Sequence, residues 1–436
     1  MKRGFLNSGK AKAKLTKDTD KIAARSGHEP EPQILKRSYG VVENAGKSQP
    51  EGYETMKSTV KLLDPLAPAE AYDKNMFLYT TQPSVSMDAT LASFPDGWTE
   101  CLLYADAKAL LLSTPGFPSP LIRPSSRSYR LASSPSKGLG LFSTRKIRAG
   151  ELILSERPLT VTPSSFGNKI RFMREFTEHE KFQAQLYEWE QTLKILFDRL
   201  CPEYKTAFMA LANSHQHDGS GPIGGIIRTN SLGLESLQTG GHDRTREMYS
   251  AVALLLYLTT PVLIPPSRSP NTDASFDLPS FSYRLFAIRE IHKGEELTFA
   301  YTALSPGAKT RQLKLEPYGF QCTCAACRTP LESDARRAIS LSMQIDTVKD
   351  GLAKLSLLEE EGLQSMAEYS IALKSVTELY IALGDSNHAS KYARMLVNRP
   401  WDIGVESIVP YTTPLGIESH PLWRTKTNEG GRMAMK

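Results

Sequence analysis

Two hydrophobic periods alternate along this chain. In its last third Leu341, Ile345, Val348, Leu352 and Leu355 step by four and three, and so do Tyr369, Leu373, Val376, Tyr380 and Leu383. Each set predicts an apolar stripe on one helix. Gly384 and Asp385 break the second helix, and SNHASKYARMLVN (386–398) starts a third. Ordinary antiparallel helix packing explains the junction ALGDSNHASKYA. Farther upstream, FMREFTEHEKFQAQLYEWEQTLKILFDRL (172–200) is long, charged and helix-like. The run PDGWTECLLYADAKALLLS (95–113) predicts a short helix, and the Pro/Ser-rich TPGFPSPLIRPSSRS (114–128) predicts a domain boundary after it.

A different pattern lies between these helices. LFSTRKIRAGE (141–151) and LFAIREIHKGE (285–295) share L-F-x-x-R-x-I-x-x-G-E, with β-prone runs around a turn containing Gly150 or Gly294. Both copies read as strand, turn, strand. Two copies are too few for a solenoid. They fit one β-rich domain whose sheet-forming parts lie far apart in sequence, with a helical insert at about 166–240 between them.

Composition narrows the classes. The 436 residues are 40% hydrophobic and 23% charged, with a net charge of +6, ordinary values for a soluble globular protein. Much of the positive charge sits in the first 60 residues (Lys2, Arg3, Lys10, Lys12, Lys14, Lys17, Lys21). That stretch is expected to be a disordered basic tail, read as solvated in preference to a nuclear address or a nucleic-acid arm. It has no apolar core of a secretory signal. The longest apolar run, AVALLLYLTTPVLI (251–264), is interrupted by Pro261 and is short of the roughly 20 residues a membrane span takes. Five cysteines, an odd and low count, point to a reducing compartment.

Three of those cysteines stand together in GFQCTCAACR (319–328): Cys322, Cys324 and Cys327, in C-x-C-x2-C spacing. Such packing usually binds a metal, and a structural zinc takes four ligands. The fourth is not in the motif. His215, His217 and His242 are candidates by residue type alone.

Four ordered segments resemble the SET-domain protein lysine methyltransferases, in a fungal, MYND-SET-like arrangement without the MYND finger: KGLGLFSTRKIRAGELILSERPL (137–159), GGIIRTNSLGL (224–234), YRLFAIREIHKGEELTFAYTAL (283–304) and YGFQCTCAAC (318–327). The resemblance implies an α+β fold: a β-rich SET domain with helical insert (127–317) and a post-SET cysteine motif (318–330). A helical, tetratricopeptide-like C-terminal domain (331–400) and an irregular tail (401–436) follow; a mixed region (61–126) precedes them. It implies S-adenosylmethionine as cofactor, at Lys137, Gly138, Leu139, Gly140 and Asn271. It makes Tyr301 the catalytic hydroxyl, Tyr318 and Phe320 walls of a lysine channel, and Cys322, Cys324 and Cys327 zinc ligands. Each has a bland alternative: a tight turn for the glycines, a buried strand tyrosine, aromatic anchors of the cysteine loop. The implied partner is a protein with an exposed lysine, such as a histone, met by a monomer in the nucleus or cytoplasm, with neither membrane nor direct nucleic-acid binding.

One segment departs from the family. Where the family carries Asn-His-Ser-Cys-x-Pro-Asn, this chain reads PPSRSPN (265–271). Ser267, Pro270 and Asn271 match. Pro265, Pro266 and Arg268 replace the asparagine, the histidine and the cysteine that would be the fourth zinc ligand. Arginine has donors only and cannot ligate zinc. Intact motif on both sides favours a splice variant or mis-joined translation across ALLLYLTTPVLIPPSRS over gradual loss. A catalytically inactive SET-fold interaction module is the alternative function.

Overall fold

The computed structural model describes residues 51–55, 60–62, 77–86, 88–134, 138–164, 170–172, 175–237, 249–253, 270–300, 302–316, 322, 324–399 and 408–426. Its strands are β1 (Tyr53–Thr55), β2 (Val60–Leu62), β3 (Phe77–Gln82), β4 (Thr99–Tyr104), β5 (Tyr129–Ser134), β6 (Gly138–Ser143), β7 (Leu152–Glu156), β8 (Thr160–Pro163), β9 (Ile170–Phe172), β10 (Ser231–Leu234), β11 (Tyr249–Val252), β12 (Thr272–Asp277) and β13 (Ser282–Ala287). The helices are α1 (Ala105–Ser113), α2 (Glu178–Arg199), α3 (Pro202–Met209), α4 (Pro222–Asn230), α5 (Ala308–Leu315), α6 (Ala325–Arg328), α7 (Pro330–Ser342), α8 (Val348–Glu360), α9 (Ala367–Leu383), α10 (Ser386–Val397) and α11 (Pro414–Glu418). The fold is α+β. Among these helices none is long and apolar enough to cross a membrane. Of the tail expected to be disordered to residue 60, residues 1–50 lie outside the described residues, as do the divergent residues 265–268, whereas Tyr53–Thr55 pairs with β9 and Val60 opens β2, because distant strands supply their partners.

One sheet runs β10–β11–β8–β4–β3–β2, another β12–β13–β7, and β5–β6 and β1–β9 form pairs. This overturns two expectations. The first half of 95–113 is a strand: every residue of β4 is buried, between antiparallel β3 and parallel β8. A central strand buried on both faces loses the alternation of apolar and polar positions that marks a strand, so periodicity cannot tell it from a helix. Nor does the Pro/Ser stretch divide two domains, since β3 and β4 before it share a sheet with β8 and β11 after it. Buried Arg157 crosses the junction, donating to the carbonyls of Ser280, Gly97 and Ser119.

The two copies of the echoed motif interlock, each pairing with the other across its glycine turn. Ile147 and Ile291, the same motif position, exchange both backbone bonds at 2.9 and 3.0 Å. Gly150 N–H donates to Ala287 O, and Gly294 N–H to Ser143 O, again equivalent positions. Both glycines have positive φ, +79° and +83°, which a side chain disfavours. The Arg-to-Glu spacing recurs as Arg145–Glu151 and Arg289–Glu295 ion pairs. Leu141, Ile147, Leu285 and Ile291 are fully buried in the core beneath.

Three helices, α2, α3 and α4, lie in the insert between Glu178 and Asn230, and β10 then returns to the main sheet. The helical part of the insert therefore stops short of the expected 240. A Thr177–Glu180 capping box opens α2. Glu190 on α2 accepts from the N–H groups of Ile223 and Gly224 at the start of α4, satisfying donors that every helix start leaves over. The C-terminal helices pack around a separate core that includes Leu358, Leu373, Val376, Ala389 and Ala393. The second predicted stripe lies on α9, which Gly384 ends in the left-handed conformation. The first does not lie on one helix. The α7 helix ends at Ser342, and a Thr347–Asp350 capping box starts α8 anew; the apolar spacing ran straight across that break.

Candidate active site

The glycine strand comes first in chain order. On β6, Gly138, Leu139 and Gly140 pair with Ser134, Ser133 and Ala132 of β5. A side-chain carbon at Gly140 would lie 2.7 Å from Glu296 Oε1. The bare backbone there is already approached by the protein's own carboxylate. The same Glu296 pairs with Phe142 through its backbone, and its carbonyl accepts from Asn271 Nδ2 at 2.8 Å. One residue at the end of the second motif copy thus joins the glycine strand to Asn271.

Asn271 is fully buried. Its amide donates to Glu296 O and to Glu295 Oε1, and its carbonyl accepts from Thr298 N–H at 2.8 Å and from Thr298 Oγ1. An asparagine side chain offers two donors and two acceptor lone pairs, and all four are used. The expected cofactor contact at Asn271 is therefore corrected: the side chain is a strut that holds 295–298, the segment leading to Tyr301. Glu295 completes the strut. Burial raises its pKa, but Arg289, the His292 N–H and Asn271 outweigh it and hold the carboxyl at about 2.

Lys137, Tyr301, Tyr318 and Phe320 lie outside the described residues. The chain is described again at 302–316, then at Cys322 and from Cys324 onward. The three cysteines are brought together, with all sulfurs within 4.8 Å of one another. Arg311 of α5, itself buried, donates to Cys327 Sγ at 3.6 Å. Hydrogen bonds from Cys322 and Cys324, then Arg311, pull the Cys327 thiol down, while hydrogen bonding to Cys324 and Cys327 pushes Cys322 up. Among the described residues no fourth His, Cys, Asp or Glu joins the group. His215 is instead paired with Asp218, at 2.6 Å, inside the insert; His217 does not join either, and His242 lies outside the described residues.

Asn230, within GGIIRTNSLGL, has a role that the sequence does not show. Asn230 ends α4, is 4% exposed, and donates from Nδ2 to Ala212 O and Ile226 O at 2.7 and 2.6 Å. Those two carbonyls fix which way the amide points. Its Oδ1 is then a buried acceptor with no partner among the described residues, a costly state unless something fills it. Type and spacing could not show this, because both partners arrive by tertiary packing.

Residues 138–302 match the SET domain family. The chain carries a SET domain. Histone-lysine N-methyltransferase set5 of Schizosaccharomyces pombe is 25% identical to it over 200 residues, which is 46% of this chain and 50% of that protein. The chain thus spans about half the length of this curated relative. The matched SET region holds the glycine strand, the Asn271 strut and both interlocked motif copies; the cysteine cluster and the C-terminal helices follow it.

Proposed function

We propose that this chain is an S-adenosylmethionine-dependent protein lysine N-methyltransferase acting on a histone or another protein with an exposed lysine. The observation that carries the reading is the junction at Glu296, which ties the glycine strand, Asn271 and the approach to Tyr301 together within the matched SET region. When bound, S-adenosylmethionine would supply an electrophilic sulfonium methyl. Lys137 and the Gly138–Gly140 strand would hold it. Tyr301 would orient the substrate amine, whose neutral form is scarce at neutral pH because a free lysine has a pKa of about 10.4. Tyr318 and Phe320 would exclude water from the alkyl stem. Alignment of this kind can supply roughly 7–11 kcal/mol of such a barrier.

Cys322, Cys324 and Cys327 fit three corners of a structural zinc, with Arg311 donating to a ligand sulfur from outside. The fourth corner would come from the segment where Arg268 stands. Pro265, Pro266 and Arg268 favour a second reading, a SET-fold interaction module without catalysis.

The test is calorimetry with S-adenosylmethionine, paired with transfer of labelled methyl to core histones and to a mixed protein pool. We expect binding, and transfer that Tyr301→Phe abolishes while the melting temperature stays put. A folded chain that neither binds the cofactor nor transfers methyl would leave the interaction module standing.

A further inference from the structure

Residues 302–308 carry the chain from Tyr301 into α5, and α7 of the C-terminal helices holds this connection at both ends. At one end Arg337 donates from Nη1 to the carbonyl of Leu304. The Leu304 side chain packs against the C-terminal core, not the sheet core. At the other end Asp334 accepts the N–H of Ala308 with both carboxylate oxygens at 3.0 Å. Gly307 lets it come that close, since a side-chain carbon there would lie 2.9 Å from Asp334 Oδ2. Between them Arg311 donates to Pro306 O. Arg337 is itself fixed. It is 5% exposed, and donates from Nε to Glu361 Oε2 at 3.1 Å and from Nη2 to Glu361 O at 3.0 Å. Glu361 follows α8 and is also bound by Ser333 and Arg336.

We infer that Arg337 is a positioning residue: anchored on Glu361, it sets from the C-terminal helices the place of the segment that follows Tyr301. The inference rests on the methyltransferase reading for its catalytic consequence, and on geometry for the rest. A guanidinium suits the task because its planar fork serves two acceptors at fixed angles, which an ammonium cannot do. Arg336 provides the control. It shares Glu361, at 2.6 Å from Oε1, yet no bond from it to 302–308 is seen among the described residues. Both arginines support the helices, and Arg337 additionally reaches the loop.

The experiment compares Arg337→Lys, Arg336→Met and the parent in the full chain, by amide hydrogen exchange at 302–308 and by methyl-transfer kinetics. Arg337→Lys is expected to speed exchange in this segment at a temperature where all three are folded. It should lower kcat roughly ten- to a hundredfold, the scale of a misplacement of about 1 Å, with KM for S-adenosylmethionine within about twofold. Arg336→Met should lower the melting temperature without either change. Equal effects of the two variants, or unchanged exchange in Arg337→Lys, overturns the inference. If the parent transfers no methyl, the functional reading fails by itself, and the exchange comparison still decides whether Arg337 places the segment.

Discussion

Replacing Asn271 by alanine separates a strut from a cofactor ligand. The substitution removes four side-chain hydrogen bonds from a fully buried site. Two of the lost contacts are to backbone, the buried Thr298 N–H and the part-buried Glu296 carbonyl. A buried polar group that loses its partner costs ~1–3 kcal/mol, so Asn271→Ala should destabilise the SET region by about 3 kcal/mol. At roughly 2–4 °C per kcal/mol for a domain of this size, the melting temperature should fall by roughly 6–12 °C. Asn271→Asp is the sharper probe. It keeps the acceptor but turns a carboxylate toward the Glu296 carbonyl and Glu295, which the native Nδ2 approaches to 3.2 Å. Its penalty should grow as pH rises and the new group ionises. Differential scanning calorimetry measures both, and titration with S-adenosylmethionine well below the melting point measures the cofactor. Affinity should stay within about threefold in Asn271→Ala, because the native side chain has no bonding capacity left for a ligand. An alanine variant that melts with the parent but loses the cofactor would refute the strut.

Three further outcomes follow from neighbouring geometry. Glu295 titrates at about 2 against an ordinary 4.5, so its stabilisation is complete above about pH 5 and is lost as pH falls from 4.5 toward 2. Arg289→Met should move the acid-unfolding midpoint, followed by circular dichroism, to higher pH, and an unmoved midpoint would discount the pair. Gly221→Ala would put a carbon 2.1 Å from Glu190 Cδ, forcing that carboxylate off the start of α4; a loss of about 1–3 kcal/mol is expected in urea unfolding, and a neutral result would mean that Glu190 can move at little cost. Arg268→Cys should raise zinc from below one to one per chain by metal analysis, since three thiolates leave a tetrahedral site short. A parent that already holds one zinc tightly would show that another residue closes the site.

Some of this protein was written within short stretches of chain. The two L-F-x-x-R-x-I-x-x-G-E motifs predicted matching turns, because a glycine turn and an Arg–Glu pair six residues apart act locally. The C-x-C-x2-C spacing likewise confined three sulfurs to one place. Gly384 stopped α9 through its own backbone freedom. What the sequence left open was decided by groups that meet only when distant segments pack. The β4 run is a strand because β3 and β8 flank it, and no residue within it says so. Asn271 matched a motif position, yet its role follows from Glu295, Glu296 and Thr298, some 24 to 27 residues onward. The same holds for Asn230, with an acceptor stranded by two carbonyls, and for Arg337, which reaches Leu304 33 residues back. Conformational preference is a property of a few adjacent residues, whereas satisfying a buried donor or acceptor depends on the path of the whole chain, so turns and spacing were legible and the partners of buried polar groups were not.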